Sequence, residues 1–135
     1  MAVMRSGGCN CGAVGYQAAG NPTRTGLCHC QTCRRETGSA FMTFAVWPSD
    51  AVRVTGQTSQ WTSSTDHRTF CPSCGSTLFA SSDGSNEIEI RIGSLDEAPS
   101  TLTPQYELWV PRREHWLSAL PGTDQFEGNR DSAKV

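Results

Sequence analysis

Lysine is nearly absent from this chain. Ten of its eleven cationic residues are arginine, and the single lysine is Lys134. Thirteen acidic residues leave a formal charge of −2, so no positive field draws in nucleic acid or an anionic membrane surface. Long apolar runs are missing too. None approaches the ~20 residues of a membrane span, and the start "MAVMRSGG" has no apolar signal core. The expectation is a soluble, cytoplasmic protein that uses neither nucleic acid nor membrane. Leucine occurs only seven times and hydrophobic residues make up 36% of 135, so the core should be modest and cross-links would help it. No phosphate loop is present, because "GGCNCG" lacks the lysine and the following helix such a loop needs. "STDH" carries no Ser–His–Asp logic either. The length fits one domain, taken as residues 1–128, with the polar end 129–135 expected to fray.

Cysteine, by contrast, is plentiful. Seven residues in a compartment that keeps thiols reduced argue for metal or redox chemistry, and the odd count argues against a disulfide framework.

Strand signals dominate. "EIEIRI" alternates strictly, placing Ile88, Ile90 and Ile92 on one face and charges on the other. "TLFAS" precedes it across Asp83-Gly84, a tight-turn dipeptide. "FMTFAVW" is apolar on both faces and reads as a central, doubly covered strand. "AVRVTG" and "SQWTS" read as shorter strands, and "YELWV" as a late one stopped by Pro111. Helix signals are confined to one turn over "QTCRRE" and another over "PRREHWL". Breaks every eight to twelve residues favour a small all-β domain.

The cysteines fall into three groups: Cys9 and Cys11 in "CNC", Cys28, Cys30 and Cys33 in "CHCQTC", and Cys71 and Cys74 in "CPSC". The last is a zinc knuckle by its local logic, since two thiolates two residues apart can grip one metal ion. Two partners compete to complete it. Cys30 and Cys33 would make a plain zinc ribbon but leave Cys9, Cys11 and Cys28 without a role. Cys9 and Cys11 would use all seven cysteines as four plus three, and this pairing is preferred. Under it, the four-cysteine site is structural. Cys28, Cys30 and Cys33 tie nothing distant together and leave a fourth metal position open, which is the arrangement of a catalytic zinc. Three thiolates make that zinc a weak Lewis acid, better at holding an added thiol than at ionising water. Arg34 and Arg35 follow directly and are candidates to clamp a substrate carboxylate; one is expected to matter, with Arg34 favoured.

These runs carry a resemblance. "GGCNCGAVGYQ", "CHCQTCRRETGSAF", "FCPSCGSTLF" and "LPGTDQFEGNR" together resemble the glutathione-dependent formaldehyde-activating enzyme family. The resemblance implies an all-β fold, the β-tent, of stacked antiparallel sheets with a structural zinc knuckle and very little helix. It also implies two zinc ions per chain: a structural one on Cys9, Cys11, Cys71 and Cys74, and a catalytic one on Cys28, Cys30 and Cys33. The activity implied is that of a carbon–sulfur lyase acting on a thiol adduct of a small carbonyl compound, with glutathione as the thiol and formaldehyde as the carbonyl. Where relatives often have histidine in a "HIW"-like strand, this chain has Glu107 in "YELWV". Two other classes remain open on the residues alone: a non-catalytic zinc-binding interaction module, and a thiol-redox protein with the fold of the methionine sulfoxide reductases.

The histidines and tryptophans read more plainly. His29, between two ligands, should point away from the metal; His67 favours the surface; nothing local gives His115 a role. Trp47, Trp61, Trp109 and Trp116 read as core and rim packing.

Overall fold

The computed structural model describes residues 3–135. Its strands are β1 (Met4–Gly8), β2 (Gly15–Ala19), β3 (Arg24–Cys28), β4 (Met42–Pro48), β5 (Val52–Thr55), β6 (Ser59–Ser63), β7 (Asp66–Phe70), β8 (Thr77–Ser82), β9 (Glu87–Arg91), β10 (Tyr106–Leu108) and β11 (Asp124–Gln125). One α-helix, α1 (Gln31–Thr37), and three short 3₁₀ turns complete the regular structure among the described residues. The fold is all-β, as the spacing of breaks predicts. No helix among these residues is long and apolar enough to cross a membrane.

The chain forms two compact units. The first takes Ala45–Thr101 together with the N-terminal stretch through Thr23; the second takes Arg24–Phe44 and Leu102–Val135. In the first unit, β1, β2 and β5 form an antiparallel sheet, and β9, β8, β7 and β6 follow one another as antiparallel neighbours. Period-two alternation along β2 turns Tyr16 and Ala18 inward and leaves Gln17 in solvent. Tyr16 meets Phe79 of β8 edge to face, with ring centroids 5.2 Å apart, and its hydroxyl lies 2.6 Å from Ser94 Oγ. Burying each such ring contributes on the order of 2–3 kcal/mol. Gly7 is required beneath it, because a Cβ there would fall 2.2 Å from the Tyr16 hydroxyl and 2.4 Å from the Ser94 carbonyl oxygen.

Strand β4 buries Met42, Phe44, Ala45, Val46 and Trp47, matching the doubly covered reading of "FMTFAVW". Trp47 donates its indole N–H to the Gly20 carbonyl (3.1 Å), so its one polar atom is satisfied. In β9 the alternation of "EIEIRI" holds, but its charged face is not all in solvent. Ile90 is buried, and Arg91 on the opposite face is 4% exposed and pairs with Glu89 at 3.3 Å. Alternation reports which residues share a face, not whether the polar face meets water. Two tryptophans also depart from expectation. Trp61 is 55% exposed and Trp116 is 72% exposed, so neither packs as core.

In the second unit, β10 lies between β3 and β11 and runs parallel to both, Tyr106 opposite Gly26 and Asp124. The expected sheets were antiparallel throughout. Parallel pairing needs a long crossover, and β3 and β10 are far apart in the chain, so the geometry has room for it. Aromatic side chains fill the centre of this unit. Phe44 meets Tyr106 at 5.9 Å, and Tyr106 meets Phe126 at 6.1 Å, both edge to face. Gly26 leaves the room they need, since a Cβ there would press on both Tyr106 and Phe44 at 2.9–3.0 Å. The end of the chain, expected to fray, is hydrogen-bonded: Glu127 N–H donates to Ala133 and Val135 N–H to Gln125.

Candidate metal centres and an arginine cleft

Each unit carries its own cysteine cluster. In the first, Cys9 follows β1 and opens a tight loop closed by Cys9 N–H on the Val14 carbonyl (3.0 Å). Facing it, "CPSC" turns on Cys71 N–H to Ser76 O (3.0 Å) and Gly75 N–H to Cys71 O (2.8 Å), with Gly75 at a φ of 77°. The sulfurs of Cys9, Cys11, Cys71 and Cys74 all lie within 4.8 Å of one another. Cys9 and Cys11 are 3.6 Å apart at sulfur, and Cys11 and Cys71 are 3.7 Å apart.

Those separations test the donor set against zinc. A tetrahedron with Zn–S bonds of about 2.3 Å has edges of about 3.8 Å, close to both spacings. Backbone amides already point at the sulfurs as they do around a bound thiolate: Val14 N–H on Cys9 (3.2 Å) and Ser73 N–H on Cys71 (3.4 Å). The Ser76 hydroxyl lies 3.2 Å from Cys74, and its side chain and backbone draw that thiol down to about 5. The residues fit a thiolate-bound metal ion.

In the second unit, Cys28 ends β3, Cys30 caps α1 and Cys33 sits in the helix's first turn. Cys33 N–H donates to Cys30 Sγ at 3.3 Å, so one thiol serves as the helix cap. The three sulfurs lie within 4.8 Å of one another, and Cys28 and Cys33 are buried. Hydrogen bonding with Cys30 and Cys33, reinforced by burial, pushes the Cys28 thiol strongly up. Three thiols this close cannot all ionise unaided, since each thiolate penalises the next. A divalent cation reverses that penalty, so this set also suits a metal. The structure therefore brings the seven cysteines together as four and three.

His29 points away from the cluster, as expected, but it is far from idle. It is 1% exposed and its Nε2 lies 2.7 Å from Glu107 Oε1, itself 1% exposed. A carboxylate only accepts, so the ring proton sits on Nε2. Glu107 Oε2 also accepts from Leu120 N–H (2.8 Å) and Gln125 Nε2 (3.1 Å), and Arg113 lies 3.4 Å from Oε1. Burial, the largest single influence, raises the Glu107 carboxyl. The hydrogen bonds from His29, Leu120 and Gln125, with the Arg113 charge, outweigh it and hold the group below its usual range. This hub ties the segment between two candidate ligands to β10, β11 and the loop at Leu120. Sequence reasoning met both residues and missed the pair, because 78 positions separate them.

Arg34 and Arg35 line a cleft of about 520 Å³ with Gln31, Ser39, Ala40 and Arg112. The helical step of about 100° per residue places Gln31 and Arg35 together on the face opposite Cys33, with Arg34 on the flank between. Arg34 is fully engaged: it reaches Glu114 at 2.6 Å and the carbonyls of Ala40 and Arg112 at 3.3 Å each. Its guanidinium in turn holds the Glu114 carboxyl below its ordinary value. Arg35 shares the Gln31 amide, whose oxygen, turned toward it, accepts at 2.7 and 3.0 Å. His67 lies partly covered at the surface, 2.6 Å from Asp83.

An all-β chain with two separate thiol clusters, each able to hold a metal ion, is the class that fold and sites define. The family profile described as "Glutathione-dependent formaldehyde-activating enzyme" matches residues 4–112, and the chain belongs to that family. An uncharacterized lyase of Schizosaccharomyces pombe is 35% identical over 82 residues, which is 59% of this chain. The match spans 60% of that curated relative's length. A crystal structure of a Rhodobacter sphaeroides protein superposes with a TM-score of 0.56 at 21% identity, covering 73% of this chain and 91% of that one. At that identity the likeness speaks for the fold alone.

Proposed function

We propose that the chain is a zinc-dependent carbon–sulfur lyase acting on the adduct of a thiol, such as glutathione, with a small carbonyl compound. The observation that carries this reading is the three-cysteine cluster of the second unit, which supplies one donor fewer than a closed site and so leaves room for a substrate sulfur. Cys9, Cys11, Cys71 and Cys74 hold a structural zinc, and Cys28, Cys30 and Cys33 hold the second, giving two per chain. When bound there, zinc supplies a thiophilic centre that favours the substrate thiol as thiolate.

In the synthetic direction the sulfur lone pair forms a C–S bond to the carbonyl carbon. The carbonyl π pair moves to oxygen, and the proton released from the thiol ends there. The lyase direction reverses each step, so no oxidant or reductant is needed. Cys28, Cys30 and Cys33 fix where the thiol binds. His29 and Glu107 hold the chelating segment from behind. Of the two arginines flagged in the sequence, Arg35 remains available to a carboxylate, whereas Arg34 is occupied by Glu114.

With cobalt in the second site, glutathione, cysteine and mercaptoethanol should each strengthen the sulfur-to-metal charge-transfer band, and the thiol-free analogue ophthalmate should not. A spectrum that ignores every thiol would remove the basis for this function.

A further inference from the structure

The outermost strand of the first unit carries a side-chain relay that neither cysteine cluster uses. Thr62 of β6, His67 of β7 and Asp83, one residue past β8, are hydrogen-bonded in series. Asp83 Oδ1 lies 2.6 Å from His67 Nε2, and His67 Nδ1 lies 3.0 Å from Thr62 Oγ1. A carboxylate only accepts, so the ring proton of the neutral imidazole sits on Nε2. Nδ1 then offers its lone pair, and the Thr62 hydroxyl donates to it. The order is nucleophile, base and orienting carboxylate, at the separations such an arrangement needs. The run "STDH" does not reveal it, because the carboxylate on His67 comes from 16 positions further on.

The hairpin backbone fixes these positions. Ser63 pairs with Asp66 across the two-residue turn of Ser64 and Thr65, where Ser64 takes a φ of 55°. Thr62 and His67 are therefore the next, non-hydrogen-bonded pair, whose side chains approach most closely. The Asp83 N–H donates to the Thr65 carbonyl at 2.9 Å, which seats the carboxylate beside the same turn. Asp66, the other acid there, is occupied by the Ser82 hydroxyl at 2.7 Å. Because β6 is the last strand of its sheet, the same pairing aims the Thr62 N–H at the open edge. An N–H beside its own nucleophilic hydroxyl can receive the oxyanion of a tetrahedral intermediate. Thr62 is exposed and His67 partly covered, so an incoming carbonyl reaches the hydroxyl directly.

We propose that Thr62, His67 and Asp83 form a second site, an acyl-transfer site for activated esters, separate from both cysteine clusters. Thr62 Oγ forms a C–O bond to the ester carbonyl carbon while its proton passes to His67 Nδ1. The carbonyl π pair moves to oxygen, and Asp83 balances the imidazolium. Collapse breaks the bond to the leaving oxygen, which takes the proton from Nδ1 and departs as an alcohol or phenol. Water then repeats the sequence on the acyl-threonine, freeing the carboxylic acid and restoring the hydroxyl. The balance closes without an oxidant or reductant.

Incubating the zinc-loaded protein with p-nitrophenyl acetate tests it through two readouts: nitrophenolate release, and peptide mapping of the acetyl group in acid-quenched samples. The parent should carry acetyl on Thr62. Thr62→Val and His67→Gln should each slow release about a hundredfold, the low end of what a positioned base contributes, and remove the mark. Asp83→Asn should fall between. Thr62→Ser keeps the hydroxyl and should keep both signals. Thr62 and Asp83 are exposed, so these changes should leave the fold intact, which circular dichroism checks. Release by Thr62→Val at the parental rate overturns the proposal, even where His67→Gln is slow, since the imidazole would then act alone. An acetyl group that maps to cysteine or the amino terminus and not to Thr62 overturns it as well.

Discussion

Cys71→Ser is expected to give insoluble or protease-sensitive protein, while Cys30→Ser gives a folded chain short of one metal ion. The asymmetry follows from what each cluster closes. Cys11 and Cys71 are 60 positions apart and their sulfurs 3.7 Å apart, so a metal there would staple a long stretch of the chain. Thiolate zinc sites bind with apparent free energies of about 10–16 kcal/mol in small peptides, against about 5–15 kcal/mol for the whole stability of a typical domain. Losing one ligand of four removes much of that. Cys28, Cys30 and Cys33 enclose only a strand end and the first turn of α1, which the N–H to Sγ cap also holds. Metal analysis, thermal melts and limited proteolysis on both variants distinguish the roles, and equal destabilisation would mean that the structural role was wrongly assigned to the Cys9, Cys11, Cys71 and Cys74 cluster alone.

The second large effect is expected at Glu107. Glu107→Ala strips partners from His29 Nε2, Leu120 N–H and Gln125 Nε2 at once, and both Glu107 and His29 are buried. Breaking a buried ionic network from one side costs about 3–5 kcal/mol, which lowers the melting temperature by roughly ten degrees or more in a chain of this size. Glu107→Gln keeps the shape and one acceptor and should lose less. Acid adds a signature. The folded-state carboxyl is held below its unfolded value, so its contribution is complete above about pH 4.3–4.5 and is lost as the pH falls through the folded value. The difference in melting temperature between parent and Glu107→Gln should therefore be constant near neutrality and shrink below about pH 4. A gap that stays constant into acid would show that the charge of Glu107 contributes nothing.

Local pattern carried much of the fold. "FMTFAVW" announced β4, Asp83-Gly84 announced the turn between β8 and β9, and the helix signal over "QTCRRE" located α1. Strand β3, "RTGLC", gave no signal of its own: it is short, holds a glycine and is fixed by partners it meets only in the fold. The same holds for the site. Cysteine chemistry is intrinsic to the side chain, so grouping by spacing worked. Which arginine is free depends on Glu114, and what His29 does depends on Glu107, both remote in sequence. Pairings of that kind leave no trace in a linear pattern.

The discontinuity of the second unit has a consequence for biosynthesis. Cys28, Cys30 and Cys33 leave the ribosome well before the strands β10 and β11 that complete their unit. At ordinary elongation rates of about 5–20 residues per second, the three thiols wait on the order of ten seconds for Glu107 and Gln125 to arrive. The other cluster is complete in composition as soon as Cys74 emerges. During that interval the nascent chain carries naked thiols with no neighbour to shield them, open to oxidation and to stray metal. If the cluster holds a metal as proposed above, the order of emergence as well as affinity would govern how it is loaded.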